Sequence, residues 1–148
     1  FNVYGPGQRF KSNYAAVIPI FINRMKKKLP VIINGGFQTR DFIYVQDVVN
    51  LIFLSANLTL NKKLCEHTNI LTGNSISIDC LANSIINLIG SDVKKKYKSL
   101  LIGDPKKSTG STKKMMDLLD IDINQLTSLE PGLTSTIDFI RKTSEKKI

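Results

Sequence analysis

The densest run of chemically capable residues is Asn34-Gly35-Gly36-Phe37-Gln38-Thr39-Arg40-Asp41-Phe42. Two adjacent glycines let the backbone come close to a ligand, because no Cβ stands in the way. Arg40 supplies a permanently charged planar fork suited to two phosphate oxygens at once. The competing reading is a turn in which Arg40 pairs with a local carboxylate, and spacing alone leaves the two level. Covalent and metal chemistry have less to work with. His67 is the single histidine, so a Ser-His-Asp or Cys-His mechanism has one possible base, beside Cys65 and without an evident partner. A packed or surface histidine explains it more simply, and no catalytic residue is assigned. Cys65, His67 and Cys80 lack the close paired spacing of a zinc site, so no metal is expected. The two cysteines read as small buried apolar side chains in a reducing compartment.

Charge narrows the partners. The 148 residues carry 21 Lys+Arg against 12 Asp+Glu, a formal net charge of +9. Much of the excess lies in Lys26–Lys28, Lys94–Lys96, Lys106–Lys107, Lys113–Lys114 and Lys146–Lys147, each read as a helix end or loop. Lysines at a helix C-terminus complement its dipole and stay solvated. Dispersed runs without an aromatic platform argue against nucleic acid, whereas a positive field favours a phosphorylated small molecule. The longest apolar stretches, such as Ala15–Ile22 and Val48–Leu54, fall short of the roughly 20 residues that cross a bilayer. No membrane partner is expected and the chain reads as cytoplasmic. It opens on Phe1 without Met or a leader pattern, so it reads as cut from something larger.

The elements that must position these residues alternate between helical and strand signals, an α/β pattern. Phe1–Val3 reads as the end of a buried strand released into the turn Tyr4-Gly5-Pro6-Gly7-Gln8. A helix follows with Tyr14, Val17, Ile18, Phe21, Ile22 and Met25 on one face, Pro19 in its first turn and Leu29-Pro30 at its end. Val31–Ile33 and Phe42–Val45 read as strands around a turn at Asn34-Gly35-Gly36. Asp47 is placed to cap a helix through Asn57 that is apolar nearly all round and needs cover on most sides. His67–Leu71 reads as a strand, and Ser77 caps a helix striped by Ile78, Leu81, Ala82, Ile85, Leu88 and Ile89 that ends at Gly90. Thr127-Ser128-Leu129-Glu130 has capping-box spacing and opens a last helix, with Leu133, Ile137 and Ile140 inward. Residues 144–148 are expected to fray.

Taken in order, Phe1-Asn2-Val3-Tyr4-Gly5-Pro6-Gly7-Gln8, Val17-Ile18-Pro19-Ile20-Phe21, Gln38-Thr39-Arg40-Asp41-Phe42-Ile43-Tyr44-Val45-Gln46-Asp47-Val48 and Asn69-Ile70-Leu71-Thr72-Gly73 resemble the C-terminal half of the NAD-dependent epimerase/dehydratase family. The likeness continues through Gly103-Asp104 and Thr127–Leu133. These are extended short-chain dehydrogenase/reductases acting on nucleotide sugars. Tyr-Gly-Pro-Gly-Gln followed by Val-Ile-Pro is nearer to UDP-glucose and UDP-N-acetylglucosamine 4-epimerases than to dTDP-glucose 4,6-dehydratases. The resemblance implies an α/β substrate-binding part, residues 1–148, with a small sheet and several helices, lacking the N-terminal Rossmann half. Asn2 is then expected to hydrogen-bond the substrate's phosphate or sugar, and Val17 to line the nucleobase pocket. Backbone around Ile33 would face the base, Arg40 would clamp the diphosphate and Asp104 would touch the ribose. Asp47 stays a helix cap.

Two departures from the family pattern matter. Gly35-Gly36-Phe37-Gln38 is one residue shorter than the usual loop, which predicts a tighter turn. Leu101 stands where a second diphosphate-binding Arg is usual, so Lys98 or Lys106 compensates or affinity is low. Ser77-x-x-Cys80 also replaces a frequent capping carboxylate. In the family the glycine-rich NAD turn and a Tyr-x-x-x-Lys pair lie upstream. Here the residues four places after Tyr4, Tyr14, Tyr44 and Tyr97 are Gln8, Ile18, Val48 and Leu101, and none is Lys. NAD is therefore expected in the full-length enzyme, without tight binding or turnover by this chain alone. The residues that choose among epimerase, dehydratase and decarboxylase are expected upstream, and a non-catalytic binding module is the other reading. The apolar helix from Asp47 and the segment Asn69-Ile70-Leu71 are expected to pack on the missing half, and bare apolar surface predicts a homo-oligomer.

Overall fold

The computed structural model of the chain describes residues 1–9, 16–62 and 65–145. β1 (Asn2–Tyr4) runs parallel to β3 (Thr39–Tyr44), with Asn2, Val3 and Tyr4 opposite Phe42, Ile43 and Tyr44. Between them in sequence lie α1 (Val17–Lys26) and β2 (Val31–Asn34). β3 also pairs antiparallel with β4 (Ser75–Ser77) and parallel with β6 (Lys107–Ser108), while β2 pairs parallel with β5 (Lys95–Lys98). α2 (Val45–Lys62) follows β3 directly, and α3 (Ile78–Ile89), α4 (Lys113–Leu119) and α5 (Leu129–Glu145) complete the helices. A short 3-10 turn at Ile123–Gln125 precedes α5. The chain is α/β with small sheets, as its pattern of alternating signals implies.

Strand alternation divides the core. On one side of β3, Phe42 joins Tyr4, Phe21, Ile22, Val31, Ile33, Leu81, Ile85 and Leu133. On the other, Ile43 joins Leu51, Met115 and Leu119 under α2 and α4. α1 buries Ile18, Phe21, Ile22 and Met25, with Pro19 in its first turn, where a missing N–H costs nothing. α3 is capped as its sequence requires: the Ser77 hydroxyl accepts from the Cys80 N–H at 3.0 Å, and Gly90 takes a left-handed φ of 68°.

Several expectations fail for identifiable reasons. β3 spans Thr39–Tyr44 rather than Phe42–Val45, because Val45 already opens α2. Asp47 therefore lies inside the first turn of α2 and is not its cap. Its carboxylate accepts instead from Thr127, at 2.8 Å from the N–H and 3.0 Å from the hydroxyl. With Thr127 so engaged, α5 starts at Leu129 without the expected capping box, and such a box forms at Asp122 and Gln125. No strand forms over His67–Leu71, since the adjoining Thr72 and Gly73 amides turn to the Asp41 carboxylate at 3.0 and 2.7 Å rather than to a sheet partner. Cys65 and Cys80 are exposed, not buried. The apolar stripe of α3 turns Cys80 outward, and His67 is exposed as well.

Some of the lysine runs also part company with expectation. Lys95 and Lys96 lie in β5 and Lys107 in β6, whereas Lys113 and Lys114 do sit at a helix end, the start of α4. Lys26–Lys28 does sit at a helix C-terminus. Of the buried strand expected at Phe1–Val3, Phe1 and Val3 are exposed at the sheet edge. Leu71, expected to pack on a missing half, is fully buried within this chain. α2 packs Val48 and Leu51 against Ile43, Met115 and Leu119 on one side, but Val49, Ile52 and Phe53 are 52, 57 and 66% exposed. Tyr14, Lys146, Lys147 and Ile148 lie outside the described residues, and α5 runs to Glu145.

Candidate functional site

A cavity of about 670 Å³ opens where β1, the start of α1, β2, β3 and the turn at Leu101–Asp104 meet. Its volume is in the range of small-molecule sites. β3 offers alternate residues to it, Arg40 and Phe42, while Asn2, Val3 and Tyr4 of β1 all line it. Asn2 and Phe42, opposite one another in the parallel register, both line the cavity, as does Arg40 two residues before Phe42. Asn2 is oriented by its Nδ2, which donates to the Asp41 carbonyl at 2.8 Å. Val17, the first residue of α1, forms an apolar wall with Phe21. Ile33 does not reach the cavity. Period-2 alternation along β2 turns its side chain into the core, fully buried, while Ile32 and Asn34 face the opening.

Arg40 is the chemical centre. Nη1 donates to the Thr39 carbonyl at 2.7 Å and to the Pro105 carbonyl at 2.8 Å, and Nη2 pairs with the Asp104 carboxylate. The pairing expected of a local turn is thus made with a carboxylate 64 residues away. The two side chains are 13 and 29% exposed, so the pair is partly desolvated. Arg40 and Asp104 are the charged groups among the described lining residues; Lys98 and Lys106 are not among them, and Leu101 lines the mouth. The cavity as a whole is apolar with one compensated cation.

The glycine pair has a different job from the one its sequence suggests. Gly35 and Gly36 adopt φ of 73° and 115°. A Cβ on Gly35 would lie 2.8 Å from the Gln38 amide oxygen and 2.9 Å from Leu100. The Gln38 oxygen accepts from the Gly36 N–H at 2.6 Å, and its nitrogen donates to the Asn34 carbonyl at 2.6 Å. Gly35 therefore makes room for a buried Gln38 that, held by the Gly36 N–H, closes the short loop on itself. Gln8 is a lining residue that motif spacing did not single out. Its amide nitrogen donates to the Val3 carbonyl at 3.1 Å, tying the loop after β1 back to the strand.

Tyr4 lies under the cavity with its hydroxyl donating to the Leu129 carbonyl at 3.2 Å. Burial, reinforced by the nearby charges of Asp47 and Tyr44, pushes its phenol well above the usual value. It serves here as a structural hydrogen-bond donor. A second cavity of about 250 Å³ lies between β3, the Thr72–Asn74 turn and the N-terminus of α5, sharing Phe42 with the first. His67, Cys65 and Cys80 line neither cavity. At Gly5 the space that a Cβ would take is filled by Val45.

Residues 1–70 match the family model described as the NAD dependent epimerase/dehydratase family. Over 147 residues the chain is 31% identical to a GDP-L-fucose synthase of Sinorhizobium fredii, covering 93% of this chain and 44% of that protein. Its fold superposes on the UDP-N-acetylglucosamine 4-epimerase of Methanobrevibacter ruminantium, solved with UDP-N-acetylmuramic acid, with a TM-score of 0.83 and 32% identity over 97% of this chain and 44% of that one. The UDP-glucose 4-epimerase of Thermotoga maritima, solved with UDP-glucose, gives a TM-score of 0.84 and 33% identity over the same shares of 97 and 44%. The chain thus spans less than half the length of these relatives. The two comparisons meet on one pattern: residues 1–70, from β1 through α2, carry the pattern of the NAD dependent epimerase/dehydratase family, and the fold that continues through α5 is shared with these two 4-epimerases.

Proposed function

We propose that this chain is the C-terminal, nucleotide-sugar-binding part of an NAD-dependent nucleotide-sugar epimerase, nearest to a UDP-sugar 4-epimerase of cell-surface polysaccharide or sugar-nucleotide metabolism. The observation that carries the reading is the convergence of Asn2, Val17, Arg40 and Asp104, from separate segments, on one cavity of about 670 Å³. Apolar walls at Val17 and Phe21 suit a base, and Arg40 suits the diphosphate. Asn2 is placed for a phosphate or sugar oxygen and Asp104 for a ribose hydroxyl. Backbone at Ile32 and Asn34, on either side of Ile33, takes the part expected around that residue.

Gly5 is packed against Val45, and Gly35 against Gln38 and Leu100. NAD and the proton-transferring groups belong to a partner Rossmann half, and the chain alone is inactive. A GDP-sugar or other family reaction is the second reading, favoured by the 31% identity to a GDP-L-fucose synthase. The uncovered side of α2 and the open edge of β1 are the surfaces available to such a half, or to a second copy of the chain.

The test is a calorimetric titration of the chain with UDP, UDP-glucose, GDP and dTDP, alongside Arg40→Ala. Uridine-nucleotide binding that Arg40→Ala weakens at least tenfold supports the reading. Preference for GDP turns it to the second one, and silence at millimolar ligand in a folded chain rejects a site prefolded in this part.

A further inference from the structure

We propose that Asp104 is the internal anion of this cavity: it occupies the Arg40 guanidinium, and a phosphate-bearing ligand binds by exchanging with it. The inference rests on the nucleotide reading above and adds the competitor that such a ligand meets. Arg40 is held from two directions. Two backbone carbonyls, Thr39 and Pro105, fix Nη1, while Asp104 takes Nη2. A bidentate phosphate contact needs two neighbouring N–H groups of the same fork. Nη2 carries two N–H groups and Asp104 accepts one; the fork left to a ligand is Nε–H with the other Nη2 N–H, so a phosphate there meets the carboxylate on the same nitrogen and the two anions compete for it. The carbonyls are fixed by backbone, and Asp104 is the acceptor able to leave.

The chain around Asp104 is built to let it move. Leu101–Asp104 closes a turn through the Asp104 N–H and the Leu101 carbonyl at 3.1 Å. Gly103 has a φ of 84°, and nothing lies within 4 Å of where its Cβ would be. Leu101 and Ile102 stand in solvent, so no buried side chain anchors the turn. The Pro105 carbonyl and the pairing of Lys107–Ser108 with β3 hold the following segment in place. Asp104 can therefore swing without unpacking the core. With Leu101 in place of a basic residue at the mouth, no second cation among the described lining residues draws the anion in. Exchange with Asp104 then dominates the selectivity for phosphate over neutral ligand. Once released, the carboxylate is an acceptor for a hydroxyl of the same ligand.

Asp104→Asn keeps the shape and removes the charge that competes. Titrations of the chain and of this variant with inorganic pyrophosphate, uridine and UDP separate the contributions. Asp104→Asn is expected to tighten pyrophosphate about two- to tenfold, the range of a partly exposed ion pair, and to weaken uridine, whose ribose hydroxyl loses a charged acceptor, with UDP between the two. On the unaltered chain, the Asp104 side-chain carboxyl resonance should move along the pyrophosphate saturation curve while that of Asp79 does not. Pyrophosphate binding that is unchanged or weaker in Asp104→Asn overturns the exchange, as does an equal gain for uridine and UDP. If pyrophosphate tightens and uridine binds neither protein, the exchange stands and the nucleotide reading fails. If neither pyrophosphate nor UDP binds either protein, both fail.

Discussion

Asp41 offers the sharpest test of how the fold is held. It is fully buried, and its two oxygens accept three hydrogen bonds: 3.0 Å from the Thr72 N–H, 2.8 Å from the Thr72 hydroxyl and 2.7 Å from the Gly73 N–H. Hydrogen bonds to a charged group are worth about 1.5–3 kcal/mol each and do not add fully. In Asp41→Asn one oxygen still serves Thr72, but the other becomes an NH2 facing the Gly73 N–H. The variant loses the stronger share of the site and strands a part-buried donor, for a cost of about 2–4 kcal/mol. At about 2–4 °C per kcal/mol for a chain of this size, the melting midpoint should fall by roughly 5–15 °C. Thr72→Val, which removes one donor, should cost about 1 kcal/mol. Urea unfolding followed by circular dichroism measures both, and amide exchange at Thr72 and Gly73 localises the loss. An Asp41→Asn chain within about 0.5 kcal/mol of the parent, with those amides equally protected, would refute the assignment of the turn's order to this carboxylate.

Gly132 sits in α5 against Tyr4 and Tyr44, where an added Cβ would lie 2.9 Å from the Tyr4 ring and 3.1 Å from that of Tyr44. Alanine gains about 0.5–1 kcal/mol of helix propensity but overpacks rings that cannot retreat, at about 1–3 kcal/mol, so Gly132→Ala should lower the urea midpoint. The Asp79 carboxyl is held below its ordinary value, first by the hydrogen bond from Lys95 at 2.8 Å and then by that from Tyr97 at 2.5 Å. A depressed carboxylate stabilises the fold above its unfolded value and loses that contribution as pH falls through the folded one. The stability gap between the parent and Asp79→Asn should therefore be full near neutrality and shrink in acid below the ordinary aspartate range. Finally, Phe53→Lys places a charge in the exposed Val49, Ile52 and Phe53 stripe, and sedimentation should show less self-association than the parent. An unchanged distribution in a folded variant assigns association to another surface.

Local rules were enough wherever a residue acts on its own element. Ser77, Gly90 and the 78–89 stripe made α3 readable end to end, and Pro19 with Leu29-Pro30 bounded α1. Each signal there is a backbone group satisfied within a turn of itself. Asp47 and Thr127 mislead because each resembles a cap, yet they satisfy one another across 80 residues. The stretch 67–71 resembles a strand, yet the turn that follows it is claimed by Asp41 on β3. The short strands β5 and β6 escaped notice because Lys-rich segments carry no apolar alternation. They are strands because β2 and β3 offer them a ladder.

The candidate site divides the same way. The sequence by itself determined the family pattern, the chemical types at Asn2, Val17, Arg40 and Asp104, and the absence of Lys four residues after any tyrosine. Those are properties of residue identity and order. Only the tertiary structure decided that Gly35 makes room for Gln38, that Ile33 turns inward while Ile32 and Asn34 turn out, and that Asp104 rests on Arg40. These depend on contacts between residues far apart in the chain. Their free energies come from burial and ion pairing that no local window contains.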